Sequence, residues 1–338
     1  MRLFIYFSIT VIVMVVGALV YWQSKAVLNS EIPLENVEYF AKFMKTNPPR
    51  ADNTLKIVSW NIGYASGMAN NQGTVLSGVE LNHNLQTLVA EIKKLDPDIL
   101  FLQEVDLQAK RSHNINQFDF LAKNLQMPYG AYHVLWNKKY VPYPYWPIAK
   151  HFGAVVSGQA VLTRLPILSQ DVVTFKKPPN AFWYNWFYLD RILQRLRVKW
   201  LGQELTLWNV HHEAFHAMTR FKQTQLLGMD VLQNVNEFKI VAGDFNDPTQ
   251  VEELKLKGMS VASTLQQFEN VSQLQSDHLQ FTDAALTFPS NLPVEKLDHV
   301  LTSPNFTFKD RKVICTDASD HCLLYVEIEK REPLQTQP

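Results

Sequence analysis

The 338-residue chain has only two cysteines, Cys315 and Cys322, and nowhere pairs Cys with His at zinc-binding spacing, which excludes a zinc-stapled or disulfide-dense scaffold. It also lacks an excess of charge, with 32 basic residues set against 32 acidic ones. Proteins that hold duplex nucleic acid draw most of their affinity from phosphate neutralisation, so this balance disfavours nucleic acid as a partner while allowing a local basic patch. No internal repeat and no low-complexity tract is present, which argues against a solenoid or a disordered chain. The two cysteines flank Ser319-Asp320-His321. A disulfide stapling that loop and a pair of buried thiols are both open at this stage.

What the chain does have is apolar residues, 46% of the total, enough for a large core in one big domain or two small ones. Residues 3–22 carry no charge and are long enough for a bilayer-crossing helix, followed by Ser24-Lys25-Ala26 as a small-x-small pattern. The expectation is a single-pass membrane anchor or signal segment over 1–25, with the domain extracytoplasmic, or else secreted after cleavage. A juxtamembrane linker over 26–54 ends in Asn47-Pro-Pro-Arg50, the folded domain spans 55–330, and 331–338 is a tail. Oligomeric state is not legible.

Leu55–Trp60 alternates as a strand, and Leu81, Leu85, Leu88, Val89, Ile92 and Leu95 recur at helical spacing until Asp96-Pro97. Further strands are predicted at Ile99–Leu102, Ala131–Trp136, Gly158–Thr163, Ile167–Phe175, Leu196–Trp200, Glu204–Val210, Lys239–Ala242, Asp298–Leu301 and Cys322–Ile328. Helices are predicted at 116–126 and 217–233. Strands that pair as neighbours and alternate with helices predict two sheets packed face to face with helices outside. Residues 137–152 are Pro-rich and expected to be irregular, and Pro178–Tyr188 is an aromatic cluster.

Polar residues gather where the strand-like runs end. Val241-Ala-Gly-Asp-Phe-Asn-Asp247 sets Asp244 and Asn246 two residues apart, so that in an extended segment both reach one target; ordinary turn chemistry is the alternative. Asn61, Glu104, His211, Asp298, Asp320 and His321 complete a set of four carboxylates, two amides and two imidazoles. Such a collection is costly to bury unless a cation and an anion sit among it. The oxygen donors suit magnesium, with manganese as the other hard ion, and no thiolate favours a softer metal.

These segments resemble the endonuclease/exonuclease/phosphatase superfamily. The resemblance lies in Ile57-Val-Ser-Trp-Asn61, Ile99–Val105, Gly158–Ile167, Asn209-Val-His211, Ala242–Asn246, Leu297–Leu301 and Ser319-Asp-His321, in that order. It implies an α/β four-layer α/β/β/α sandwich and metal-dependent hydrolysis of a phosphoester substrate by in-line attack of water. Glu104 would be the main metal ligand, with Asn61 beside it and Asp320 helping. Asp298 would pair with His321, and Asp244 would orient or deprotonate the water. Asn246 and His211 would donate to phosphate oxygens, and Arg111 is expected to touch a substrate phosphate. His212 and Arg164 read as structural. The anchor and the aromatic cluster favour a lipid headgroup or small phosphate ester as substrate; DNA or RNA is the alternative, and a catalytically dead binding module is the reading from another class.

Overall fold

A computed structural model describes residues 2–25, 32–33, 35–40, 45, 47–70, 72–247, 268–269, 272–277 and 286–331. Thirteen strands among them form two mixed sheets. The first contains β1 (Glu35–Tyr39), β2 (Thr54–Asn61), β3 (Ile99–Ala109), β4 (Tyr129–Val141), β5 (Gly153–Thr163), β12 (Phe306–Ile314) and β13 (Leu323–Lys330), in the order β1-β4-β5-β3-β2-β13-β12. The second contains β6 (Ile167–Thr174), β7 (Ile192–Trp200), β8 (Gln203–His211), β9 (Phe238–Asp244), β10 (Gln275–Ser276) and β11 (Asp298–Thr302), in the order β10-β11-β9-β8-β7-β6. Each sheet holds one parallel pair, β2 with β3 and β8 with β9, and every other pairing is antiparallel.

Three apolar layers hold this frame. Between the sheets, Ile57, Phe101 and Leu324 of the first meet Leu207, Ile240 and Val300 of the second. On the outer face of the first sheet, α2 (Gly78–Leu95) and α3 (Gln117–Leu125) bury Leu85, Leu88, Phe118 and Leu121 against Trp60, Leu100 and Leu102. On the outer face of the second, Leu227 and Val231 of α5 (Ala217–Gln233) cover Trp208, Val210 and Val241. Strands buried on both faces read as continuous apolar runs, which is why Ile99–Leu102 shows no alternation. Helix α2 starts at a capping box, with Ser77 Oγ accepting from the Glu80 amide and the Glu80 carboxylate accepting from the Ser77 amide. It stops at Asp96 in the left-handed region, just before Pro97.

Three expectations change. Residues Arg2–Lys25 do form a helix, α1, but among the described residues no helix is long and apolar enough to cross a membrane, so the single-pass anchor and the membrane location built on it are corrected. Strand β1 lies inside the segment expected to be a linker and pairs with β4 at the sheet edge. Strand β4 itself runs on to Val141, into the stretch expected to be irregular. The aromatic cluster contains a short helix, α4 (Phe182–Phe187), whose Trp186 packs edge-on against Tyr21 of α1 with ring centroids 5.2 Å apart. The tail beyond residue 331 lies outside the described residues.

Candidate active site

Parallel strands finish at the same edge, and the edges of the two parallel pairs face one another. His211, the last residue of β8, registers with Asp244, the last of β9, and Asp244 registers with Asp298, the first of β11. The backbone behind Asp244 is crowded: Gly243 has φ +140°, and a Cβ there would lie 2.0 Å from the Val210 carbonyl oxygen. Only glycine fits.

On the other sheet, the pairing of β3 with β5 slips between Leu102 and Val105, and Glu104 adopts φ +54°. Such a bulge re-aims side chains. Gln103 points inward and donates to Asn209 Oδ1 at 2.7 Å, while Asn209 Nδ2 donates to the carbonyls of Leu102 and Ala160 at 3.2 and 3.0 Å. These buried amides tie the sheets together at the bulge. Glu104 is left turned into the cleft with its side chain 18% exposed, whereas Asp244 is 1% exposed. A left-handed non-glycine residue costs on the order of 1–3 kcal/mol, so the surroundings must hold it.

Asp244 is the hub. Its Oδ2 accepts from Asn61 Nδ2 at 3.0 Å and Asn246 Nδ2 at 3.3 Å, and lies 3.6 Å from His211 Nε2 and 3.8 Å from His321 Nε2. Its Oδ1 accepts from the Asn246 amide at 2.8 Å. Asn246 sits at φ +49°, so the Asp-Phe-Asn segment is a turn that folds back onto its own aspartate, and not the extended run considered from the sequence. The Asn246 carboxamide also donates to the His212 carbonyl at 3.0 Å, which makes it a clamp on Asp244 in this arrangement.

His321 comes from the first sheet's side on a loop held at many points. Ser319 Oγ donates to the Asn61 carbonyl at 2.7 Å, Ser290 Oγ donates to the Ser319 carbonyl at 2.6 Å, and Trp60 Nε1 donates to the His321 carbonyl at 2.9 Å. Cys315 and Cys322 form a disulfide that closes this loop. The imidazole Nδ1 lies 3.0 Å from Asp298 Oδ2.

Burial and neighbours split the titrating groups. Burial alone would neutralise the His321 ring, but Asp298, Asp244 and Asp320 outweigh it and raise its pKa to about 10. His211 goes the other way: burial, reinforced by Arg191, His321 and His212, holds it well below its ordinary value, so it is a neutral ring beside the carboxylates despite its ion-pair-like distances. His212 is lowered to about 3, first by burial, and faces the Thr224 hydroxyl, in keeping with a structural role. Burial raises Asp244 above the usual carboxylate range, against the pull of His321. Burial likewise raises Asp320, with the nearby Glu104 charge adding to it.

Glu104 and Asp320 are joined by Asn70, whose Nδ2 donates to Glu104 Oε2 and Asp320 Oδ2 at 3.1 Å each, while Asn61 Nδ2 lies 3.4 Å from Glu104 Oε1. Two repelling carboxylates with oxygen-only donors and an open side fit a hard divalent cation. A second grouping, Asp244, Asp298 and His321, also has its donor atoms within 4.8 Å of one another. That trio is the poorer site. Its imidazole is held protonated with Nδ1 engaged by Asp298, and a metal ligand needs a free lone pair.

Arg111 does not open onto the cleft. Its Nε and Nη2 donate to the Asp106 carboxylate at 3.0 and 2.9 Å, it is 5% exposed, and its guanidinium lies 3.4 Å from the Tyr64 ring centre. It therefore positions Tyr64, which with Glu104, Trp136, Gly158, Leu189 and His211 lines a narrow pocket beside the hub. Burial, with Glu104 adding, keeps the Tyr64 phenol protonated. Arg164 pairs with Asp96 and Asp98, just ahead of the start of β3, in keeping with a structural role. Asn70 and Tyr64 were not anticipated: both lie in the loop after β2, and nothing local marks them.

Residues 58–321 match the model of the Endonuclease/Exonuclease/phosphatase family. No curated protein matches the chain in sequence. Among solved structures, an endonuclease/exonuclease/phosphatase from Beutenbergia cavernae is similar at 20% identity and a TM-score of 0.59, over 82% of this chain and 72% of that one. A mannosyl-6-phosphatase from Bacteroides thetaiotaomicron is 18% identical with a TM-score of 0.55, over 81% of this chain and 99% of that one. D. rerio TDP2 in complex with a single-strand DNA product is 18% identical with a TM-score of 0.52, over 82% of this chain and 100% of that one.

Proposed function

The chain belongs to the endonuclease/exonuclease/phosphatase family of metal-dependent phosphoesterases, and on that premise we propose that it hydrolyses a small phosphate ester by in-line attack of water with magnesium bound at Glu104, Asn61 and Asp320. Bound there, the ion would neutralise charge building on the phosphoryl and departing oxygens. Asp244 orients the water and takes its proton, and its raised pKa brings it closer to that task at neutral pH. Asn61 and Asn246 keep the carboxylate in place. His321, protonated and fixed by Asp298, and neutral His211 supply donors toward the phosphoryl oxygens. No serine or cysteine nucleophile is required.

The observation that carries this reading is the convergence on one Asp244 carboxylate of an amide from the first sheet, two imidazoles and the Asn246 turn. The case for a lipid headgroup leaned on the anchor and the aromatic cluster, and without the anchor only the cluster remains in its favour. The balance of 32 basic and 32 acidic residues favours a small ester over nucleic acid, although one similar structure holds a DNA product. A single panel tests both: the full chain with magnesium is expected to hydrolyse aryl phosphate esters and to leave plasmid DNA intact. Asp244→Asn should lower turnover by about 10²–10⁴-fold. Nicking of the plasmid without turnover of small esters would reverse the substrate assignment, and loss of neither activity in Asp244→Asn would remove the base.

A further inference from the structure

One buried cation near the hub has no part in the chemistry above. Arg191, just before β7, is 6% exposed, and its Nε and Nη1 are fully buried without a hydrogen-bond partner. Among the described residues no carboxylate lies within ion-pair distance of its guanidinium; the other buried arginines, Arg111, Arg164 and Arg220, donate to carboxylates or to carbonyls. A guanidinium taken out of water and left unpaired is expensive, and such groups call for a partner.

The segment around Arg191 borders the narrow pocket. Leu189 lines it, the Asp190 amide donates to the carbonyl of Leu135, another lining residue, at 3.0 Å, and Trp136 Nε1 donates to the Phe187 carbonyl at 2.7 Å. Tyr188 donates to Glu213 at 2.7 Å, fixing the strand-entry segment from the other side. Arg191 is close enough to act on the charge states of both Tyr64 and His211, which lie on that pocket's wall. Planar guanidinium groups with free donors suit phosphate oxygens better than any other side chain.

We propose that Arg191 binds the phosphoryl group of the substrate from the pocket side and selects dianionic phosphate monoesters over phosphate diesters. The inference rests on the phosphoester-hydrolase reading and adds the charge of the preferred substrate. A diester carries one negative charge where a monoester at neutral pH carries close to two, so an extra unpaired cation at the same phosphorus favours the monoester. The Glu104, Asp244, Asp298 and Asp320 carboxylates would otherwise repel the second charge.

The test compares p-nitrophenyl phosphate with bis-p-nitrophenyl phosphate, using the full chain with magnesium in wild-type, Arg191→Lys and Arg191→Gln forms. Wild type should prefer the monoester. Arg191→Gln should lower kcat/KM for the monoester by about 100-fold and for the diester by less than about fivefold, with Arg191→Lys between them. Competitive inhibition by inorganic phosphate should weaken in parallel. A wild-type preference for the diester, or equal losses on the two esters, would overturn the assignment while leaving the hydrolase reading intact. Failure of wild type on both esters would instead strike that reading. Should Arg191→Gln not fold by circular dichroism, the ratio of ester rates in Arg191→Lys decides, an unchanged ratio counting against selection.

Discussion

The two sheets share a plan, with one parallel pair each, yet they bring different chemistry to the shared edge. The first supplies oxygen donors, Asn61 at the end of β2, Glu104 on its bulge in β3, and Asp320 on the loop before β13. The second supplies the groups that the proposed mechanism assigns to water and phosphate, His211, Asp244 and Asp298, in adjacent register. His321 crosses from one to the other through its bond to Asp298. In the proposed mechanism cation binding and proton handling thus fall to different sheets, although Asn61 and His211 each lie against both Glu104 and Asp244, and a variant on one sheet should fail differently from a variant on the other.

The largest effects should divide along that line. Glu104→Gln should raise the magnesium concentration needed for half-maximal activity by more than the about 10–100-fold typical of a residue that only supports a ligand, with Asn70→Ala falling inside that range. The His321→Ala variant should show its defect at saturating magnesium, with the half-maximal concentration little changed. Metal titrations of the variants make the comparison. If His321→Ala moved the metal requirement as far as Glu104→Gln does, the Asp244, Asp298 and His321 group would be the cation site and the division would be wrong.

A smaller effect is expected at the crossing itself. Asp298 raises the pKa of both His321 and Asp244, so Asp298→Asn should lower both. With Asp244 needed as the base and His321 as the acid form, the wild-type acid limb lies above the ordinary carboxylate value of 3.8 and the alkaline limb near 10. Removing the Asp298 charge should shift both limbs toward lower pH and reduce the plateau by about 10–100-fold. The folded-state pKa of His321 exceeds its ordinary value of 6.5, so the pairing contributes stability that is complete below pH 6.5 and lost as pH rises through about 10. Rate profiles from pH 4 to about 10.5, and melting measured at both ends, check the two signs together. An alkaline limb that stays put in Asp298→Asn would separate His321 from it.

How far the sequence reveals this arrangement also differs between sheets and loops. Strand ends are legible because buried runs are bounded by polar residues: Asn61, His211 and Asp244 close their strands and Asp298 opens its own. Glu104 lies within a longer strand, and it reaches the cleft only because β3 bulges there, which no local pattern announces. Asn70, Tyr64 and Arg191 gain their meaning from contacts with residues far along the chain. Arg111 shows the reverse error, since a basic residue near a motif looks available until Asp106 is seen to hold it. The uncharged run at the start of the chain is a contrasting case, since it led to the expectation of a membrane anchor, whereas among the described residues no helix is long and apolar enough to cross a membrane.

The smallest effect should come from the disulfide between Cys315 and Cys322, which encloses the loop carrying Ser319, Asp320 and His321. Two arguments pull against each other there. A cross-link over so short a loop contributes about 2 kcal/mol through the unfolded chain. Within the folded protein, however, the loop is already fixed by bonds from Ser319 to the Asn61 carbonyl, from Ser290 to the Ser319 carbonyl, and from Trp60 to the His321 carbonyl. The second set should dominate the geometry of the site while the first governs stability. The double variant Cys315→Ser, Cys322→Ser is expected to melt several degrees lower, at about 2–4 °C per kcal/mol, and to keep its rate at saturating magnesium within about threefold at 25 °C, where little of it is unfolded. A loss comparable to that of His321→Ala, with the melting temperature unchanged, would mean that the covalent bond and not the hydrogen bonds sets the position of His321.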